Sequence, residues 1–459
     1  MDSLSLLPLP FYLCAFALLI FSWQAWQGRD AGWGVPMLAV LGTVAAWYLG
    51  DPLYNGYKEY LSKFGVERMN AAWWEVLIFL VSFRILTPVM NRKINGDLVF
   101  QGSSIFQAIR SGLIDTATFQ NQISLITKLL LIPWVLMMLW ALVRTDFDYM
   151  WLFCPYLVEK DDPWSRDRVG ASSLDFLLAF AGYFQSMLTA LFGVLLALSK
   201  RFQTMLLAAG VYLLAVPFYI FDRTRNVMLA VLIPGFMIFV TMRMRGGIVI
   251  RLVVVVAAFM ALEGWMKFVI DNRDLGSISE ALKSGGDKSL ELKNRKHLGF
   301  NMFEELGYIN MFIDKGTYQV NWGARYFAEA VNPIPRFIWP GKPLIGIDYA
   351  IARGMAYGNQ SSSSGGVAAS ISTGMIGQGV VNFGTFLGPI AAAFLMAVWA
   401  AILAHQDYKG SDIFHLLLYA IGLVLTFNMG RDITLLVIYP FIFGWLMLKA
   451  YNRYVKKPV

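Results

Sequence analysis

Apolar residues run through the chain in blocks of about 20 broken by short polar stretches, a length that crosses the ~30 Å hydrocarbon core of a bilayer as helix. Runs such as "MLLAAGVYLLAVPFYIF" and "IVIRLVVVVAAFMALEGW" are apolar on every side, whereas a membrane barrel would alternate apolar and polar in segments of about 10. Lipid offers no partner to an open backbone, so these blocks read as helices. The pattern predicts eleven spans, over about 5–24, 31–50, 71–90, 123–144, 173–198, 204–221, 227–242, 248–268, 383–404, 413–428 and 432–449. The short, Gly-rich "VAASISTGMIGQG" at 367–379 reads as a re-entrant or half helix feeding the next span, or as a twelfth crossing.

The predicted fold class is therefore all-α: a polytopic transmembrane helical bundle of 11–12 spans. It divides into spans one to eight (1–268), a long loop (269–366), and a C-terminal group (367–459). Within the loop, Leu298, Met302, Leu306 and Ile309 fall at helical spacing and predict an amphipathic helix resting on the membrane or on the bundle. No internal repeat marks two related halves, as a symmetric transporter would show.

Charge sets an orientation. The tail "YNRYVKKPV" and the segment "RMRGGIVIR" are short and basic, which keeps them cytoplasmic. Counting outward, "DRTRN", "MGRD" and the long loop then face the other side. That outer side carries Arg223, Arg225, Arg273, Arg325, Arg336, Lys342, Arg353 and Arg431, against the usual tendency, and charges in short hairpins between spans read as functional. The net charge of +8 is scattered over loops rather than gathered on a soluble module, which argues against nucleic acid and for an anionic ligand or lipid headgroup. Cys14 and Cys154 offer neither a disulfide nor a metal spacing. With no dense carboxylate cluster and no Asp-x-Asp motif, no metal or cofactor is expected. The N-terminus lacks the basic start of a signal peptide and reads as a retained first helix.

The strap "NPIPRFIWPGKPLIG" at 332–346 holds Pro333, Pro335, Pro340 and Pro343 around Arg336 and Lys342. Each proline fixes one backbone angle and extends the residue before it, so the cations are presented from a pre-set backbone; the alternative is a turn anchored at the interface by Phe337, Ile338 and Trp339. Arg223 and Arg225 in "FDRTRN" have the planar fork that reads phosphate, or they snorkel to headgroups. Arg325 and Glu329 lie one helical turn apart. They form a structural ion pair, or Glu329 is a base whose neighbouring arginines lower its pKa and weaken it. Glu304, Glu305, Asp314, Asp348 and His297 compete for that role. Gly384 and Gly388 in "GTFLG" make a GxxxG pair suited to close helix packing.

Together "FDRTRNVMLAVLIPGFMIF", "GYINMFIDKGTYQVNWGARYFAEAVNPIPRFIWPGKP", "STGMIGQGVVNFGTFLGPI" and "FNMGRDITLLVIYP" resemble the Wzy-type oligosaccharide repeat-unit polymerases of O-antigen and exopolysaccharide synthesis. The likeness covers the second half of the chain and is sharpest at the proline strap. It implies a metal-independent membrane glycosyltransferase of GT-C-like architecture, in the bacterial inner membrane with its active site facing the periplasm. Its implied partners are undecaprenyl-pyrophosphate-linked oligosaccharides, membrane lipids and a chain-length regulator protein. On that reading Arg336, Arg223, Glu329 and His297 are the candidate catalytic residues, and Arg225, Arg325, Lys342, Arg353, Arg431 and Trp339 the candidate substrate-binding ones. An O-antigen ligase using the same donor, and a flippase or transporter for lipid-linked sugars, are the alternatives.

Overall fold

The structure, a computed structural model, describes residues 7–96, 105, 111–112, 115–155, 160, 163–164, 175–220, 225–244, 246–271, 301–334, 338–343, 346–354, 356–357, 366–367, 372–409 and 412–454. Apolar helices dominate it: α1 (Leu9–Gln27), α2 (Gly34–Asn55, with a π-helical turn at Ala45–Leu49), α3 (Tyr57–Phe64), α4 (Val66–Asn95), α5 (Ala117–Arg144), α6 (Asp175–Leu198), α7 (Phe202–Ile220), α8 (Arg225–Ile238, extended by a π-helical turn, Phe239–Arg243) and α9 (Ile248–Asp271). Then come α10 (Met302–Asp314), α11 (Ala324–Val331), α12 (Ile347–Ala352), a two-residue antiparallel ladder of β1 (Ala356–Tyr357) and β2 (Gly366–Val367), α13 (Met375–Tyr408), α14 (Ile413–Met429) and α15 (Leu435–Tyr454). Each of the eleven expected spans coincides with one of these helices. Seven are long and apolar enough to cross a membrane outright, and shorter apolar helices lie at Val227–Arg243, Ile413–Met429 and Val437–Tyr451. The chain is an all-α, multi-pass membrane protein.

Contacts gather the chain into two compact units that interleave in sequence. One comprises Met1–Ser104, His297–Tyr408 and Thr426–Val437; the other comprises Ile105–Lys296, Lys409–Leu425 and Ile438–Val459.

In the first unit α4 packs along α13, joined by a polar seam. Asn91 Nδ2 donates to the Tyr408 hydroxyl (3.0 Å), Asn95 Nδ2 to Asn91 Oδ1 (2.6 Å), and His405 Nδ1 lies 2.9 Å from Asn95 Oδ1. Such amide pairs suit a helix interface, where an unpaired polar group has no water to turn to. Helix α10 packs against the bundle, one of the two expected placements: Met302, Leu306 and Ile309 are buried as their spacing predicts, and Glu304 and Glu305 are buried too, while Leu298 lies outside the described residues. Asn301 supplies no side-chain cap. Instead the buried Asp51 of α2 accepts from Phe303 N (2.8 Å) and Glu304 N (3.0 Å) through Oδ2, while Asn55 and Tyr60 donate to its Oδ1. A carboxylate on the orphan amides of a helix start is a favourable pairing, and here it ties the long loop to a span. Phe303 packs on Trp73 of α4, with ring centroids 3.9 Å apart.

Helix α13 is two arms. Gly384 has φ 82° and ψ 178°, a region open essentially to glycine alone, and the chain reverses there. The arm Met375–Phe383 folds back on the longer arm so closely that a Cβ on Gly379 would lie 2.1 Å from the Gly388 carbonyl oxygen. The close pair is thus Gly379 with Gly388, not Gly384 with Gly388; Gly384 is the hinge.

In the second unit, α6 and α8 meet at Gly193 and Gly235, where an added Cβ on Gly235 would lie 2.8 Å from the Gly193 backbone. Gln120 of α5 bridges to the end of α6, donating to Leu198 O (3.2 Å) and accepting from Lys200 N (2.9 Å).

Candidate functional site

The site is built around α11, in the first unit. Gly323, with φ 89°, makes the turn that starts this short helix. The start is held by the α13 half-arm, because Asn321 N donates to Val381 O (3.1 Å) and Tyr326 N to Asn382 Oδ1 (3.3 Å). The same arm holds the "MGRD" hairpin: Gln378 exchanges two hydrogen bonds with the Ile433 backbone (2.8 and 3.1 Å), and Met375 N donates to Gly430 O. Loop and hairpin, a hundred residues apart in sequence, are thereby fixed to one support.

Arg325 and Glu329 project from the buried face of α11, each only 5% exposed. The ion pair Arg325 makes is to Asp432 of the hairpin (Nη2 to Oδ1, 3.7 Å), not to Glu329. The same Asp432 oxygen accepts from Thr373 N (3.1 Å) and Thr373 Oγ1 (2.9 Å). Gly346, at φ 64°, brings bare backbone beside the guanidinium, where a Cβ would lie 3.4 Å from its central carbon. Arg325 Nε and Nη1, the Tyr326 hydroxyl and Glu329 Oε2 are buried without a hydrogen-bond partner among the described residues. Buried polar atoms are nearly always paired, so a cluster of donors beside an unpaired carboxylate is the arrangement of a ligand site.

Electrostatics set Glu329 apart. Burial pushes its carboxyl up to about 7; Arg325 pulls the other way and Asp432 adds to the rise. The expected depression by nearby arginine is present but loses to desolvation, which penalises the charged form more strongly in so closed a place. A carboxyl poised near neutrality suits proton transfer. Burial also holds the Tyr326 phenol in its protonated, donating form.

The competing carboxylates are engaged elsewhere. Glu304 binds Lys63 (2.6 Å) and Asp314 binds Arg68 (2.9 Å). Asp348 accepts from Tyr318 (2.7 Å) and Asn321 (3.1 Å). Glu305 accepts from the Tyr349 hydroxyl and from Arg353 Nε (3.1 Å). Arg353 is held by that carboxylate and stacked over Tyr308 at 3.5 Å. Lys342 folds back to donate to Asn332 O (2.7 Å) and Ile334 O (2.8 Å), so its ammonium closes the strap on itself. Trp339 meets Phe327 edge-on at 6.3 Å, and Arg431 Nε donates to Ser372 Oγ (3.1 Å). His297, Arg223 and Arg336 lie outside the described residues, as does the side chain of Arg225, whose backbone begins α8. Asp432, Tyr326 and Thr373 complete the cluster; of the three only Asp432 carries a sequence signal, its place in a charged hairpin between spans.

Among the described residues no group of three or more His, Cys, Asp or Glu side chains is placed to hold a metal ion. No protein-family model, no curated protein and no solved structure matches the chain.

Proposed function

We propose that the chain is a membrane glycosyltransferase of the inner membrane that polymerises lipid-linked oligosaccharide repeat units on the periplasmic side. The observation that carries this is the buried pair Arg325 and Glu329 with Asp432 on the arginine, where Arg325 Nε and Nη1 and Glu329 Oε2 have no hydrogen-bond partner among the described residues.

In the proposed reaction, the Glu329 carboxylate takes the proton of an acceptor hydroxyl on one lipid-linked repeat unit. That oxygen bonds to the anomeric carbon of the growing glycan, and the bond from that carbon to the undecaprenyl pyrophosphate oxygen breaks, its electron pair leaving with the pyrophosphate. Pyrophosphate leaves readily, so the protein's main task is to place cations where negative charge builds up. Arg325, held by Asp432 on one side, has Nε and Nη1 without a partner among the described residues and available for that task. Arg223, Arg225 and Arg336 are further cations for the pyrophosphate on the strength of the sequence resemblance.

The test uses the purified full chain in vesicles supplied with lipid-linked repeat units extracted from cells that make them, following undecaprenyl pyrophosphate release and glycan length together. Wild type releases lipid as chains lengthen, and Arg325→Ala lowers that rate by about 100 to 1,000-fold. Equal rates in the two would remove Arg325 from the reaction.

A further inference from the structure

The second unit holds a cavity of about 780 Å³ between α6, α7, α8 and α9, lined almost wholly by carbon. Two features make it more than slack packing. At one end it is bordered by Thr241 and Arg243, on the π-helical turn that ends α8, a local distortion that recurs at functional sites. Phe239 and Phe259, both lining residues, are also exposed on the outside of the unit, so the cavity opens toward surrounding lipid.

The charges at that end are not equivalent. Arg251 caps the end of α8, donating through Nη2 to Met244 O (3.2 Å), a helix-end pairing of cation with orphan carbonyl. The half-buried Arg243 guanidinium has no ion-pair or hydrogen-bond partner among the described residues. Lining residues of α8 run from Leu232 to Arg243, about 16 Å of helix at 1.5 Å per residue. That is close to half of the ~30 Å bilayer core, the depth one leaflet's acyl chain occupies.

We infer that this groove binds an anionic phospholipid, its acyl chain between α8 and α9 and its phosphate on Arg243. Basic pockets between membrane helices at the cytoplasmic face recognise anionic headgroups, and "RMRGGIVIR" is the segment whose charge assigns it to that face. The site lies in a different compact unit from Arg325 and does not depend on the polymerase reading.

Native mass spectrometry of the full chain in detergent, titrated with phosphatidylglycerol or phosphatidylcholine of matched acyl chains, tests it. Phosphatidylglycerol binds in preference to phosphatidylcholine, Arg243→Gln weakens it about fivefold, and Arg243→Lys retains it. Ala258→Phe, which fills the groove, removes both lipids; should that variant not fold, the two Arg243 variants still decide. Equal binding of the two lipids by wild type, or phosphatidylglycerol binding unchanged in Arg243→Gln, overturns the inference. Displacement of phosphatidylglycerol by equimolar undecaprenyl phosphate would do the same, by making a polyprenyl chain the occupant.

Discussion

At Glu329 two effects of opposite sign meet, and their sizes decide its chemistry. The segment "ARYFAEAV" shows the one-turn spacing to Arg325, from which an ion pair and a depressed pKa both follow. What it does not show is that Asp432 arrives from a hairpin a hundred residues away, takes the arginine, and leaves Glu329 desolvated at about 7. Tertiary burial is invisible at that range of sequence. If Glu329 must be ionised to accept a proton, kcat/KM rises with pH through about 7 in wild type, and the limb is lost in the residual activity of Glu329→Gln. An unchanged limb in that variant would assign it to another group. Stability runs the opposite way, because a carboxyl whose folded pKa lies above its ordinary 4.5 favours the folded state below that value and loses the contribution as pH rises through about 7. Glu329→Gln is expected to flatten that part of the thermal unfolding profile.

Among the elements, the half-arm Met375–Phe383 is where sequence and structure agree in kind and differ in detail. A short, Gly-rich apolar stretch before a span reads as half a helix. The glycine pair did not follow from it, because GxxxG spacing assumes one continuous helix and Gly384 breaks this one. Once the chain reverses, the residues that touch are Gly379 and Gly388, set by the hairpin and not by a four-residue period. The arm matters because its backbone and side chains hold both α11 and the hairpin carrying Asp432. Gly384→Ala is expected to lower the unfolding midpoint in detergent, at a cost of about 1–3 kcal/mol for a side chain in that region. Gly210→Ala, where an added Cβ on α7 meets nothing within 4 Å, should be neutral or raise it by the helix propensity of alanine. A Gly384→Ala protein as stable as wild type would show that the reversal carries no such constraint.

For the molecule as a whole, the spans were legible because twenty apolar residues in lipid have one good solution, and each expected block is a helix. The grouping of those helices was not legible. Contacts join residues 297–408 to the first hundred residues through Asp51 capping α10 and Asn91 and Asn95 seaming α4 to α13, all polar pairings without a local sequence signature. Among the described loop cations, Lys342 and Arg353 each bind within the loop, whereas Arg325 Nε and Nη1, with the Tyr326 hydroxyl and Glu329 Oε2, have no partner among the described residues. The central claim is that this cluster lengthens glycan chains. The most direct measurement is the surface polysaccharide ladder of cells lacking the gene and complemented with wild type, Glu329→Gln or Arg325→Lys, at matched membrane expression. Long chains restored by wild type alone, with single repeat units still reaching the cell surface in both variants, is the predicted result. A full ladder from Glu329→Gln, or loss of even single units as a ligase or flippase would give, contradicts it.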